Sequence, residues 1–363
     1  MNRSFALAVG FVLAMTAGFA ACAQEMPKLD THEGDYVVRN FRFASGESLP
    51  ELRLHYTTLG SPLRDAKGQV TNAVLVLHGT SGDGHQFLSP HFAGVLFVPG
   101  GLLDAKKYFI ILPDDIGAGK SSKPSDGMHA RFPQYRYADM VTAEYALVTD
   151  GLKINHLRLI MGTSMGCMHA FMWGETWPDF MDALMPLACL PTAIAGRNRL
   201  WRAMIIDAIR SDPAWMGGDY RQEPREALRT LVDIYLIASS APLQMQKTMP
   251  MPDAADKYLS DELPWYFKQF DANDMLYAIA SSRDYDPSAS LGKIRAPLIW
   301  VNTGDDFINR PDLGIAQAMA PKIPHGRFVL IPASDQTHGH GTHTWAAVWK
   351  DYMAELLKET ERK

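Results

Sequence analysis

The segment Gly162-Thr163-Ser164-Met165-Gly166 sets a serine between two glycines in a G-x-S-x-G pattern. A strand-like apolar stretch, Leu157 to Met161, enters it, and a helix-period stretch, Gly166 to Trp177, leaves it. That context predicts a nucleophile elbow. Its tight turn needs glycine because the backbone crowds its neighbours, and it lifts the serine hydroxyl beside the free N–H groups that begin a helix. A serine hydroxyl is a weak nucleophile alone, so the chain must also supply an imidazole to take its proton and a carboxylate to orient that imidazole.

Where an elbow of this kind is used, acid and base follow the nucleophile along the chain, each on a loop after a later strand. The loop after Val301 reads Asn302-Thr303-Gly304-Asp305-Asp306, and the loop after Pro332 carries His338-Gly339-His340-Gly341-Thr342-His343. Asp306 is favoured over Asp305. His340 is favoured over His338 and His343, because a glycine on each side frees its backbone to turn inward, while His343 is expected to open the last helix. The oxyanion hole is assigned to the Thr80 N–H, after His78-Gly79 at the end of a central strand, together with the Met165 N–H. His78 is expected to be structural, hydrogen-bonding within its own loop.

Two other chemistries compete for these residues. His338, His340 and His343 could face one zinc ion and generate hydroxide. However, Thr342 stands where H-x-H-x-D-H sites have Asp, and a metal leaves the elbow unexplained. Gly117-Ala118-Gly119-Lys120-Ser121 resembles the end of a phosphate-binding loop, but Asp114 occupies the position that needs another glycine, and a carboxylate beside a phosphate is unfavourable. The expectation is therefore a small-molecule ester substrate, an acyl-enzyme, and neither metal nor organic cofactor. A non-catalytic binding protein is the remaining alternative.

The elements that must position these residues alternate. Tyr36 to Phe43 and Leu52 to Leu59 read as an N-terminal hairpin. Apolar strands follow at Asn72–His78, Tyr108–Pro113, Leu157–Met161, Met181–Leu190, Pro297–Val301 and Arg327–Pro332. Helices are expected over Tyr137–Leu152, Gly166–Trp177, Pro311–Met319 and Thr344–Lys358. This predicts an α/β fold with a mostly parallel central sheet flanked by helices. Residues 191–295 are Met-rich, helical in period and without a convincing strand, so they read as a helical cap inserted into a core of residues 24–190 and 296–363. The cap methionines read as adaptable packing.

Composition narrows the partners. The 363 residues are 47% hydrophobic and 21% charged, with a formal charge of −5 spread without long runs of one sign. Neither nucleic acid nor an anionic membrane is an expected partner. Residues 1–23 read as a signal peptide: Arg3, an apolar run from Phe5 to Ala20, and the A-x-A site Ala21-Cys22-Ala23. The mature chain is therefore expected to be exported, periplasmic or secreted, with no membrane span. Lipid anchoring at Cys22 is the lesser alternative, since Phe19 stands where that signal has Leu. Cys167 and Cys189 lie in apolar stretches and are expected as two buried thiols, a single disulfide being the alternative in an oxidising compartment.

These segments together resemble the homoserine O-acetyltransferase-like branch of the α/β-hydrolases. The resemblance rests on His78-Gly79-Thr80-Ser81-Gly82-Asp83, on Asp115-Ile116-Gly117-Ala118-Gly119-Lys120-Ser121-Ser122, and on the elbow. It rests further on Asp212-Pro213-Ala214-Trp215-Met216-Gly217-Gly218-Asp219-Tyr220 in the insertion and on Gly339-His340. It implies the α/β-hydrolase fold, a serine that accepts an acyl group from acetyl-CoA or from an ester, and a homodimer through the cap. Two positions depart from the branch. Ile206 stands where its transferases carry an Arg that grips the amino-acid substrate, although Arg199 and Arg202 are near, and Cys167 stands where their elbow has Gly. Export away from cytosolic acetyl-CoA points the same way. Hydrolysis of a short- or medium-acyl ester is therefore expected, and acyl transfer is the alternative.

Overall fold

The computed structural model describes residues 28–361. The expected signal peptide and the Cys22 anchor lie outside the described residues. Among those described, no helix is long and apolar enough to cross a membrane.

Eight strands form one sheet in the order β1-β2-β4-β3-β5-β6-β7-β8. They are β1 (Thr31–Arg42), β2 (Ser48–Leu59), β3 (Ala73–Leu77), β4 (Phe109–Pro113), β5 (Leu159–Thr163), β6 (Leu184–Leu187), β7 (Leu298–Thr303) and β8 (Gly326–Ile331). The hairpin β1–β2 is antiparallel, with Thr31 opposite Leu59, and β2 runs antiparallel to β4. From β4 to β8 every pairing is parallel.

Parallel strands covered on both faces must be apolar at every position, and β3, β4, β5 and β7 are buried throughout. Their side chains alternate between two cores. Leu75, Leu77, Ile160 and Trp300 join one, with α2 (Tyr137–Ala146) and α3 (Met165–Thr176). Val74, Val76, Met161 and Ile299 join the other, with α1 (Ala93–Leu96) and α10 (Ala346–Glu359). The cap helices α4 (Gly196–Ser211), α5 (Arg225–Ser239), α6 (Pro242–Thr248), α7 (Pro252–Gln269) and α8 (Ala272–Ala280) fall between β6 and β7.

Four boundaries differ from the sequence reading. The strand expected over Met181–Leu190 is ordered as β6 only from Leu184, Met181 making one isolated bridge to Leu157. The helix expected to reach Leu152 is α-helical to Ala146 and then widens into a π turn. Gly314, left-handed at φ 65°, breaks the Pro311–Met319 helix, so that α9 (Ile315–Met319) stands apart. His343 does not open the last helix: it lies in the 3₁₀ turn Gly339–Thr344, and α10 starts at Ala346.

The two cysteines are also corrected. Instead of free thiols, Cys167 and Cys189 form a disulfide with Cα atoms 5.9 Å apart. Because β5 and β6 are neighbours, the helix leaving β5 lies over the exit of β6, and a 22-residue separation in sequence becomes contact in space. The bridge ties the first turn of the elbow helix to the point where the chain departs for the cap. Replacing both cysteines by alanine is expected to lower stability by about 3 kcal/mol, measured as a lower denaturation midpoint. A midpoint equal to that of the parent chain would count against this role.

Candidate active site

Ser164 sits between β5 and α3 with φ 55° and ψ −107°, a conformation that side-chain-bearing residues rarely adopt. Its neighbours permit it. A Cβ on Gly162 would lie 2.0 Å from the Gly166 carbonyl oxygen, and one on Gly166 would lie 2.2 Å from that of Leu77. The turn is pinned at both ends: Ser164 N–H donates to the Leu187 carbonyl and Gly166 N–H to the His78 carbonyl, each at 2.9 Å.

The three favoured residues come together. His340 Nε2 is 2.9 Å from Ser164 Oγ, and His340 Nδ1 is 2.9 Å from Asp306 Oδ2. An ionised Asp306 accepts from Nδ1–H, which leaves the Nε2 lone pair facing the serine hydroxyl. Burial alone would push the Asp306 carboxyl up. The His340 charge and the hydrogen bonds from His340 and Asn309 outweigh it and hold the carboxyl below its ordinary value.

The alternative residues are engaged elsewhere. Asp305 accepts from Thr337 Oγ1 and from Gly339 N–H, fixing the loop that carries the histidine. His338 stacks on Trp345 at 3.8 Å between centroids. His343 packs edge-on against His340, and burial, then the His340 charge, lowers it to about 3. Of the glycines flanking His340, only Gly339 is required. It has φ 58°, and a Cβ there would meet the Ser240 carbonyl oxygen at 2.7 Å, whereas Gly341 faces open space.

Asn309 was not singled out from sequence. Its amide donates to Asp306 Oδ2 at 3.0 Å and to the Ala188 carbonyl at 2.8 Å, while its backbone N–H donates to Asp306 Oδ1. The Asp306-x-x-Asn309 spacing of a local Asx-type turn was the available signal.

The loop that follows β3, where the oxyanion donor was expected, is set by His78. Its Nδ1–H donates to the Gly79 carbonyl at 2.8 Å, and its Nε2 accepts from Asp115 N–H at 3.0 Å, which fixes a neutral tautomer. The Gly79 carbonyl also accepts from Gly82 N–H. In a trans peptide the N–H points opposite to the carbonyl, so anchoring Gly79 O directs the Thr80 N–H to the other edge. Gly79 itself lies against Ser164. In α3, Gly166 N–H is already taken, and the Met165 N–H stands at the helix start, where no intrahelical acceptor exists.

The loop that resembles a phosphate site has a different use. Asp114 accepts from Gly84 N–H and Lys120 N–H and so braces the turn. Arg202, near the position where Ile206 stands, is buried and donates to Asn198 and Ser282.

Two cavities border the neighbouring loops. One of about 630 Å³ is bounded by Thr80 and Ser81, by the Gly117–Lys123 loop and by cap helices α7 and α8. The other, of about 490 Å³, is lined by Met168, Ile194 and Asn309 among others.

The family model described as alpha/beta hydrolase fold matches residues 72–336. A homoserine O-acetyltransferase of Leifsonia xyli subsp. xyli is 30% identical over 341 residues, covering 82% of this chain and 83% of that one. A homoserine O-acetyltransferase of Thermobifida fusca is 38% identical over 194 residues, and there the match spans half of either chain. The crystal structure of an acetylester hydrolase from Corynebacterium glutamicum superposes with a TM-score of 0.79 at 20% identity, covering 90% of this chain and 96% of that one. The chain belongs to the alpha/beta hydrolase fold family, in its homoserine O-acetyltransferase-like branch.

Behind the loop that follows β3, Asp115, Glu144 and His169 are buried together, His169 Nδ1 lying 2.7 Å from Glu144. Burial, then the Glu144 charge, pushes the Asp115 carboxyl up to about 8, and burial pushes Glu144 up to about 7. The folded chain therefore keeps protons that the unfolded chain releases near an ordinary carboxyl value of about 4. Stability from this pair is complete below that value and is lost as pH rises toward about 8. Denaturation at several pH values is expected to show that decline, and Asp115→Asn to flatten it. An equally steep decline in the variant would contradict the assignment.

Proposed function

We propose that this chain is an exported serine esterase that cleaves a short- or medium-acyl carboxylic ester through an acyl-enzyme. The observation that carries the reading is the continuous Ser164–His340–Asp306 chain of 2.9 Å contacts. Ser164 Oγ attacks the carbonyl carbon while its proton passes to His340 Nε2. The Thr80 and Met165 N–H groups receive the charge that develops on oxygen. Collapse breaks the bond to the alcohol, which leaves with the proton from His340. Water then repeats the sequence, giving the free acid and the original serine. Asp306 holds the ring and steadies its cationic form.

Water is preferred to a CoA-bound acyl group on grounds of charge. The larger cavity beside Thr80 is lined by Asp83, Asp114, Asp271 and Asp274 against Lys120 and Lys123. That balance disfavours a donor carrying several phosphates. Export is supported by the leader and by the buried Cys167–Cys189 bridge, a pairing suited to oxidising compartments. Acyl transfer is the second reading, and 30% identity to a homoserine O-acetyltransferase favours it.

Ser164→Ala and His340→Ala are each expected to lower kcat by roughly four to six orders of magnitude with the fold retained. An active-site serine probe should label the parent chain and not Ser164→Ala; near-parental turnover in either variant would remove the reading. Incubation with aryl acetates, and with acetyl-CoA plus homoserine, separates the two outcomes. Faster transfer to homoserine than release to water would replace the esterase by the transferase. The mature chain recovered from an exported fraction is expected to begin at Gln24, by N-terminal sequencing.

A further inference from the structure

The larger cavity adjoins the loop at Thr80 and Ser81, and its walls are of two kinds. Tyr235, Trp265, Tyr266 and Phe270 line the cap side. They form one aromatic cluster: Tyr266 lies 4.8 Å from Trp265 and 5.3 Å from Phe270, and Tyr235 lies within 6.3 Å of both Tyr266 and Phe270, between ring centroids. The remaining charged lining is acidic in balance, and its two cations are already matched. Lys120 is bound to Glu33 at 2.5 Å, and Lys123 lies 3.8 Å from Asp274. Asp271 caps α8 through the Asp274 N–H, and Asp83 caps the turn at His85. Each carboxylate therefore has a fixed position rather than a wandering one.

Aromatic rings beside a lining in which carboxylates outnumber cations form a surface for a weakly hydrated cation, which the ring quadrupoles and the acidic field both attract. We infer that the alcohol half of the substrate carries an ammonium group, quaternary or protonated, seated among Tyr235, Tyr266 and Phe270 with Asp271 and Asp274 facing it. The inference rests on the ester-cleaving reading for its meaning, but the binding site can be tested without turnover.

In Ser164→Ala protein, calorimetry would compare choline with its uncharged isostere 3,3-dimethylbutanol. Choline is expected to bind on the order of tenfold more tightly. Asp271→Asn with Asp274→Asn, in which asparagine can still cap the helix, should bring the ratio toward one. Tyr266→Leu, which leaves the carboxylates in place, should weaken choline several-fold and spare the isostere. Equal or weaker binding of choline to the Ser164→Ala protein would overturn the inference, as would equal loss of both ligands in Tyr266→Leu. Hydrolysis of phenyl acetate by the parent chain is scored separately: its absence would remove the esterase reading while the binding ratio still decides the cation site.

Discussion

Ser164 points its hydroxyl out of the sheet because two backbones come within van der Waals contact of the turn that holds it. The helix leaving the elbow passes so close to β3 that a methyl group on Gly166 would overlap the Leu77 carbonyl. Gly162 is under the same restriction from the first turn of that helix. The resulting φ of 55° is a strained state for serine, maintained because both ends of the turn are hydrogen-bonded into neighbouring strands. The Met165 N–H, the reach of His340 and the facing Thr80 loop are all defined relative to this one bend. A shift of β3 or β6 would move all of them together.

A second constraint is electrostatic. Asp306 is wholly buried, and a lone carboxylate there would be forced to take up a proton. Asn309 and the loop N–H groups fill its remaining acceptor positions, so the charge persists where the imidazole needs it. The opposite solution appears behind the loop that follows β3, where Asp115 and Glu144 lie together and burial drives them toward the neutral form. Asp306 is surrounded by donors, whereas both side-chain oxygens of Asp115 lack hydrogen-bond partners and face the Glu144 carboxyl, so similar side chains at similar depth are driven toward different charge.

The alternation of apolar strands with amphipathic helices made the sheet legible, because a parallel sheet covered on both faces demands continuous apolar runs at β3, β4, β5 and β7. The candidate serine stood out for a local reason, its two glycines, and the loops carrying the candidate carboxylate and imidazole were placed by the order the architecture implies. What lay beyond sequence was spatial. Asp305 and Asp306 are chemically identical neighbours, and only the turn toward Asn309 separates the one that meets the imidazole from the one that anchors Gly339. His338 and His343 differ from His340 by what packs on them, Trp345 in one case and the triad imidazole in the other. The cysteine pairing depended on which strands are neighbours, which hydrophobic pattern does not encode. Asn309 escaped notice because a short polar residue in a loop after a strand ordinarily marks a turn.

The cap reaches the core at a sensitive place. Ser81, the residue after Thr80, shares a hydrogen bond of 2.8 Å with the Tyr235 hydroxyl on α5. The bond fastens α5 of the cap to the loop that follows β3, one residue beyond Thr80, so the position of that loop is shared between the sheet and the cap. A change that removes the Tyr235 hydroxyl acts on the core as well as on the cap.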